Sequence, residues 1–176
     1  MFTEKIILTD GTCMLVDAED FPTISTYTWF PLKGSHTRYA CTSIKGRKVK
    51  AHRMIMKALD IRDDATGNSR EFDRVDHING NGLDNRKQNL RLVTRSQNAQ
   101  NSCGRPDHRR SRYKGVSFCT RCRSRPWRAV IHINGKQIHL GYFAIEEDAA
   151  LAYNLAAQTH QGEFAFLNLV DERSVA

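Results

Sequence analysis

Asp76 and His77 stand side by side, and two asparagines, Asn89 and Asn98, follow 12 and 21 residues after the histidine. An imidazole with an ordinary pKa of about 6.5 is a usable base at neutral pH, and carboxylate and amide oxygens suit a hard ion such as Mg²⁺. Phosphodiester cleavage demands those capacities: an activated water, neutralised charge on the phosphate and help for the departing 3′ oxygen. Adjacent residues on an extended strand point to opposite sides, so Asp76 and His77 serve one site only where the backbone turns. The residue types alone leave a second reading open, in which Asp76 is a turn carboxylate and Asn98 a cap-like amide.

The local sequence says what must position them. Asn79-Gly80-Asn81-Gly82 is a turn whose glycines permit positive φ. The chain returns through Leu90-Arg91-Leu92-Val93, a period-two strand. Thr94 and Gln97 have capping-box spacing, which predicts a helix from Arg95 to about Cys103, stopped by Gly104 and Pro106. Strand, long turn, strand and helix is the expected order, and it would carry Asn98 back toward Asp76.

Residues 1–60 read as a strand-rich support closed by a short helix. Thr9-Asp10-Gly11-Thr12 joins strands at Lys5–Leu8 and Cys13–Val16. Further strands are expected at Tyr27–Leu32, Arg38–Ile44 and Arg47–Ala51, and a helix at His52–Leu59; two readings of His52 stay open, a place near DNA and a capping or packing role. Residues 60–74 are polar and read as a loop.

A second unit spans 111–170. Strands are expected at Tyr113–Phe118, Trp127–Ile133 and Lys136–Phe143, the last two joined by Asn134-Gly135. Trp127, Ala129, Ile131 and Ile133 share one face with Ile138 and Leu140, leaving Arg128, Val130, His132, Gln137 and His139 on the other. An alanine-rich helix, Glu146–Thr159, should cover the apolar face, with three acidic residues at its positive end.

Charge points to a polyanionic partner. The formal net charge is +8, and Arg105 to Arg128 holds nine Lys or Arg against Asp107 alone. The basic linker 105–110 should track phosphates between the two units. No apolar run is long enough to cross a membrane, and the charged start is unlike a signal peptide; a cytoplasmic location is expected. Five irregularly placed cysteines argue against a disulfide framework. Cys119 and Cys122 form a C-x-x-C without a second one, so structural zinc is not expected.

Two resemblances sharpen these readings. The run DHINGNGLDNRKQNLRLVTRSQN resembles the HNH homing endonucleases of phages and group I introns, whose core is the ββα-metal fold. The resemblance implies His77 as the base that deprotonates water, Asp76 and Asn98 as ligands of a divalent ion, Asn89 as the residue that fixes the histidine and hairpin, and Asn85 as a structural loop residue. Many members end the motif in histidine; Asn98 here favours Mg²⁺ or Mn²⁺ over zinc, and no organic cofactor is expected. Family products carry 5′-phosphate and 3′-hydroxyl ends, and one base with one ion fits nicking by a monomer.

Residues 111–169, with YKGVS, PWRAVIHINGKQIHLGYF and EEDAALAYN, resemble the AP2 DNA-binding domain, a three-stranded sheet backed by one helix. By that resemblance Lys114, Ser117, Arg128, Val130, His132, Gln137 and His139 face double-stranded DNA. Arg121, Arg123 and Arg125 flank it, with Arg109 and Arg110 in the linker, and Tyr153 reaches a phosphate from the helix. The expected class is therefore α+β: a strand-rich region 1–60, a ββα-metal core 61–104, the linker, and an AP2-like module. A sequence-specific DNA-binding regulator with an inactive core is the alternative.

Overall fold

The computed structural model describes residues 2–34, 36–57, 74–102 and 111–170. The chain divides into two compact units, Met1–Ala99 and Gln100–Ala176. The expected sites Arg109 and Arg110, and Cys103, lie outside the described residues.

The first unit opens with an antiparallel hairpin, β1 (Thr3–Ile7) and β2 (Cys13–Asp17). Its turn is held by Asp10 Oδ1, which accepts from the Thr12 amide at 3.0 Å and the Thr12 hydroxyl at 2.6 Å. A single helical turn, α1 (Phe21–Ile24), follows, where the sequence pattern gave no helix. The strand expected from Tyr27 begins only at Phe30, because Trp29 turns inward: it is 1 % exposed and its Nε1–H donates to the Ile24 carbonyl at 2.8 Å. A second sheet then runs β3 (Phe30–Lys33), β4 (Arg38–Ile44) and β5 (Arg47–Lys50), all antiparallel, and leads directly into α2 (Ala51–Ile55).

The third element group is β6 (Arg74–His77), β7 (Leu90–Val93) and α3 (Arg95–Asn101). The strands pair antiparallel with Asp76 opposite Arg91 and His77 opposite Leu90. The capping box forms in full: the Thr94 amide donates to Gln97 Oε1 at 2.9 Å, and the Gln97 amide donates to Thr94 Oγ1 at 3.2 Å. One departure from strict alternation appears in β7, where Leu92 is exposed and Val93 is fully buried.

One apolar core links these groups. Met14 and Val16 of β2, Trp29, Ala40 of β4, Ala51 and Ile55 of α2, and Leu90 of β7 belong to it, with Val75 packed against it. The long turn between β6 and β7 is laced to β2 as well: the Leu15 amide donates to the Leu83 carbonyl and the Asn85 amide to the Leu15 carbonyl, each at 2.8 Å. Gly82 is required by contact rather than by its φ, since a Cβ there would lie 2.5 Å from the Arg38 carbonyl oxygen and 2.6 Å from the Tyr39 ring.

The second unit is a three-stranded antiparallel sheet, β8 (Val116–Phe118), β9 (Trp127–Ile133) and β10 (Lys136–Phe143), in the order β10-β9-β8, with α4 (Glu146–Gln161) packed on it. Ala129 and Ile131 are buried against Ala149, Ala150, Tyr153 and Ala157 of α4; alanines allow the helix backbone to approach the sheet closely. The apolar face lies where alternation placed it for Trp127, Ala129, Ile131, Ile133 and Leu140, whereas Ile138 is 41 % exposed, and β10 carries one irregularity. The β10 register shifts between His139 and Gly141, which sets Tyr142 opposite Arg128 and so moves a tyrosine onto the outward face.

Tyr153, expected to reach a phosphate, is 2 % exposed and packs over Gly115, where a Cβ would fall 2.0 Å from its ring. Burial pushes its phenol up to about 12. It belongs to the core because the close approach of Gly115 encloses the ring.

Candidate active site

His77 ends β6 and is 5 % exposed. Its Nε2 lies 3.2 Å from Asn85 Oδ1, and the Asn85 amide nitrogen donates to Met14 Sδ at 3.7 Å. With the amide nitrogen committed to the sulfur, the oxygen faces the imidazole, so Nε2 carries the proton and donates while Nδ1 keeps its lone pair. Burial holds the imidazole below its ordinary pKa, opposed by the Asn85 hydrogen bond and by the charges of Asp76 and Asp84. The ring is neutral at physiological pH as a result.

Asn85 is wholly buried, and its place is fixed from both sides by the hydrogen bonds of the turn to β2. Asn89 has a different task. Its Oδ1 accepts the Asn79 amide at 3.0 Å, and its Nδ2 donates to Asn79 Oδ1 at 3.0 Å and to the Asp84 carbonyl at 2.8 Å. Asn89 thereby ties the two ends of the turn, a positioning role. Asp84 adds a second tie: Arg86 donates twice to its carboxylate at 2.7 Å and Asn79 Nδ2 once at 2.9 Å. The Arg86 hydrogen bonds, ahead of every other cause, hold the Asp84 carboxyl below its usual range.

Asp76 Oδ2 accepts from Arg91 Nε at 3.1 Å and Nη2 at 3.0 Å. The Asp76 carboxylate is thus held by its cross-strand arginine, while its charge still acts on the His77 imidazole and the Tyr39 phenol. Asn98 sits in α3, half-buried, and lines a cavity of about 100 Å³ with Tyr39, Lys50, His52, Arg53, Arg74 and Val75. The structure therefore brings Asn98 to the two residues that precede Asp76 on β6. A carboxylate and an amide oxygen form a hard donor set, which fits Mg²⁺ or Mn²⁺ better than zinc.

No local pattern signals the ring cluster around His77. His52, at the start of α2, packs edge-on to it with centroids 4.9 Å apart, and Tyr39 of β4 lies 5.9 Å from His77 and 5.5 Å from His52. His52 is driven down to about 2, first by burial and then by His77. Burial, with help from the Asp76 charge, raises the Tyr39 phenol.

A separate acidic group, Asp17, Glu19 and Asp20, has oxygens within 4.8 Å of one another, a set consistent with a hard divalent ion. A lysine already serves it: Lys87 Nζ lies 2.7 Å from Glu19 and 3.2 Å from Asp20, while the Lys87 amide donates to Asp17 at 2.8 Å.

An HNH endonuclease family profile matches residues 73–100, the segment that holds Asp76, His77, Asn85, Asn89 and Asn98. A relative extends the match: an uncharacterised HNH endonuclease of Acanthamoeba polyphaga mimivirus is 31 % identical over 161 residues, covering 92 % of this chain and 77 % of that protein. The chain belongs to the HNH endonuclease family. No solved structure matches it.

In this HNH protein the second unit offers a separate polar surface. Across the outward face of the sheet, Ser117, Arg128 and Tyr142 form one row, Val130 and His139 a second, and His132 and Gln137 a third. His132, Gln137 and His139 are exposed, as are Arg121, Arg123 and Arg125 on the β8–β9 connection. Arg128 donates to Gln137 Oε1 at 3.4 Å, and the His139 and Tyr142 rings lie 4.7 Å apart. Lys114 departs from expectation: its ammonium is turned to the carbonyls of Gln100 and Ser102, at 2.5 and 2.6 Å, rather than standing out from the sheet. The β8–β9 connection also brings the Cys119 and Cys122 sulfurs to 3.1 Å as free thiols.

Proposed function

We propose that this HNH protein hydrolyses phosphodiester bonds of double-stranded DNA, nicking at preferred sites with 5′-phosphate and 3′-hydroxyl products. The observation that carries the reading is the His77–Asn85 hydrogen bond, because it leaves Nδ1 as the proton acceptor of a buried, neutral imidazole. His77 takes a proton from the attacking water as its oxygen bonds to phosphorus, and the bond from phosphorus to the 3′ oxygen breaks. Asp76 and Asn98 would hold a Mg²⁺ or Mn²⁺ ion, which when bound neutralises the phosphate and the developing charge on the leaving oxygen. Arg91 fixes the Asp76 carboxylate, Asn85 the histidine tautomer, and Asn89 the turn that carries Asn85.

The second unit acts as an AP2-like reader in the same proposal. A three-stranded sheet offering Ser117, Arg128, Val130, His132, Gln137, His139 and Tyr142 has the side chains and shape for a major groove, where arginine pairs with guanine and glutamine with adenine. Arg121, Arg123 and Arg125 contribute phosphate contacts that position without selecting sequence, as do Arg109 and Arg110.

The test is divalent-ion-dependent nicking of supercoiled DNA beside the His77→Ala protein. Relaxed circles with the parent and a rate lower by about 10²–10⁴-fold in the variant support the assignment. Retarded DNA that neither protein cuts with Mg²⁺ or Mn²⁺ would instead favour a binding-only regulator.

A further inference from the structure

The C-x-x-C of the β8–β9 connection takes no part in cleavage or base reading. The Cys119 and Cys122 sulfurs lie 3.1 Å apart as free thiols, each partly exposed. The backbone holds them there. The Cys119 amide donates to the Pro126 carbonyl at 2.7 Å, at the foot of β9, and the Cys122 amide donates to the Cys119 carbonyl at 3.2 Å, closing a four-residue turn. Phe118, next to Cys119, packs edge-on to Trp127 with centroids 5.1 Å apart, which anchors the turn at its strand end. Among the described residues no further His, Cys, Asp or Glu joins the two sulfurs as a third donor within 4.8 Å. A closed zinc site takes four ligands, whereas two adjacent sulfurs suffice for a disulfide.

The two thiols are unequal. The hydrogen bond with Cys122, ahead of the backbone hydrogen bonds of the turn and the Arg121 charge, holds the Cys119 thiol below its ordinary value. The same contact pushes Cys122 up, opposed by the Tyr142 phenol. A thiolate is the nucleophile in sulfur exchange, so Cys119 attacks and Cys122 resolves. The run from Cys119 to Pro126 holds Arg121, Arg123 and Arg125 and no acidic residue, a local field that favours an anionic reactant. Tyr142 also ties the pair to the outward face of the sheet, where it stands opposite Arg128 with its ring centroid 4.7 Å from that of His139.

We propose that Cys119 and Cys122 are a reversible dithiol–disulfide site that takes an anionic small-molecule disulfide as its oxidant and thereby adjusts the grip of the β8–β9 arginines on DNA. Cys119, having lost its proton to water, attacks one sulfur of the reagent; the reagent's S–S bond breaks, and its other half leaves as a thiolate that takes up a proton. Cys122, deprotonated in turn, attacks the Cys119 sulfur, the mixed disulfide breaks, and the second half leaves as a thiol. Two cysteine thiols are oxidised and one disulfide is reduced to two thiols, with no further reactant. The new bond closes a ring that includes the Thr120 and Arg121 backbone and removes the Cys122 thiol from Tyr142. The effect on DNA rests on the AP2-like reader assignment; the cross-link itself does not.

The experiment has two arms on the full chain. In the first, the parent, Cys119→Ser, Cys122→Ser and a control at the exposed Cys13, Cys13→Ser, are incubated with oxidised glutathione, and the products are mapped by peptide mass. The parent and Cys13→Ser should gain a Cys119–Cys122 cross-link that dithiothreitol reverses. Cys122→Ser should stop at a glutathione adduct on Cys119, and Cys119→Ser should form its adduct on Cys122 about tenfold more slowly, having only the less ionised thiol. A parent that forms no cross-link, or a pair that instead retains Zn²⁺ through gel filtration, overturns the site. In the second arm, log affinity for duplex DNA is plotted against log salt. The slope should be shallower by about 0.9 in the cross-linked parent, the share of one phosphate contact, and glutathione should leave the slope of the Cys119→Ser/Cys122→Ser protein unchanged. Equal slopes in both forms of the parent overturn the coupling to DNA. A cross-link that forms in a chain without affinity for duplex DNA sinks the reader assignment and leaves the redox site standing.

Discussion

His77, Asp84, Asn85 and Asn89 are between 0 and 7 % exposed, whereas His132, Gln137 and His139 on the C-terminal sheet stand in solvent. Both groups are polar and both are proposed to meet DNA, yet they are built oppositely. The first four hydrogen-bond within a closed network of the β6–β7 turn and β2, so each side chain has one geometry. A proton transfer needs that fixity, since misplacing the base by about 1 Å costs on the order of 10²-fold. The outward sheet residues keep their rotamers in water and can fit a base edge on arrival, at an entropic cost of roughly 0.5–1.5 kcal/mol for each side chain immobilised. Cleavage and recognition thus ask for opposite degrees of burial from similar residue types.

That contrast can be broken most forcefully at Asn85. Replacing it with Ala removes the acceptor that fixes the His77 tautomer, and single-turnover nicking should fall by about 10²-fold or more while DNA affinity holds. Asn85→Asp, which still accepts from Nε2, should recover part of the rate; equal loss in both variants would point to packing instead. Next comes the shared core of the first unit. Leu90→Ala should lower its stability by roughly 2–5 kcal/mol, seen in a denaturant melt that leaves the C-terminal unit unchanged.

On the reading surface, the triple change of Arg121, Arg123 and Arg125 to Gln should make the plot of log affinity against log salt shallower by about 2.7, at 0.9 per phosphate contact. The nicking rate at saturating protein should stay the same; a rate that fell in step would merge the two functions. Gln137→Ala should relax base preference at one position by about 1–3 kcal/mol, while Tyr153→Phe should leave DNA affinity within about twofold.

The buried imidazoles add a pH dependence to the stability of the first unit. His52 is depressed to about 2 in the folded chain, from an ordinary 6.5. The unfolded chain therefore binds more protons between those values, so this contribution is complete above pH 6.5 and is lost as pH falls toward 2. The slope is at most about 1.4 kcal/mol per pH unit for one group, and it should disappear from the stability curve of a His52→Phe variant. His77, also depressed, adds in the same direction.

The sequence by itself determined the elements whose signals are local. The Asp-Gly and Asn-Gly hairpins, the Thr94–Gln97 capping box, the ββα order around Asp76 to Asn98 and the two faces of β9 all depend on residues a few positions apart. Alternation and turn chemistry act over that range. Tertiary structure alone decided that the His77 ring meets Asn85, His52 and Tyr39, that Lys50 and Arg53 share a cavity with Asn98, and that Tyr153 is enclosed over Gly115. Those neighbours are 8 to 48 positions apart in the chain. They are brought together by the apolar packing of their own unit, and no periodicity records which distant surfaces a core will draw together.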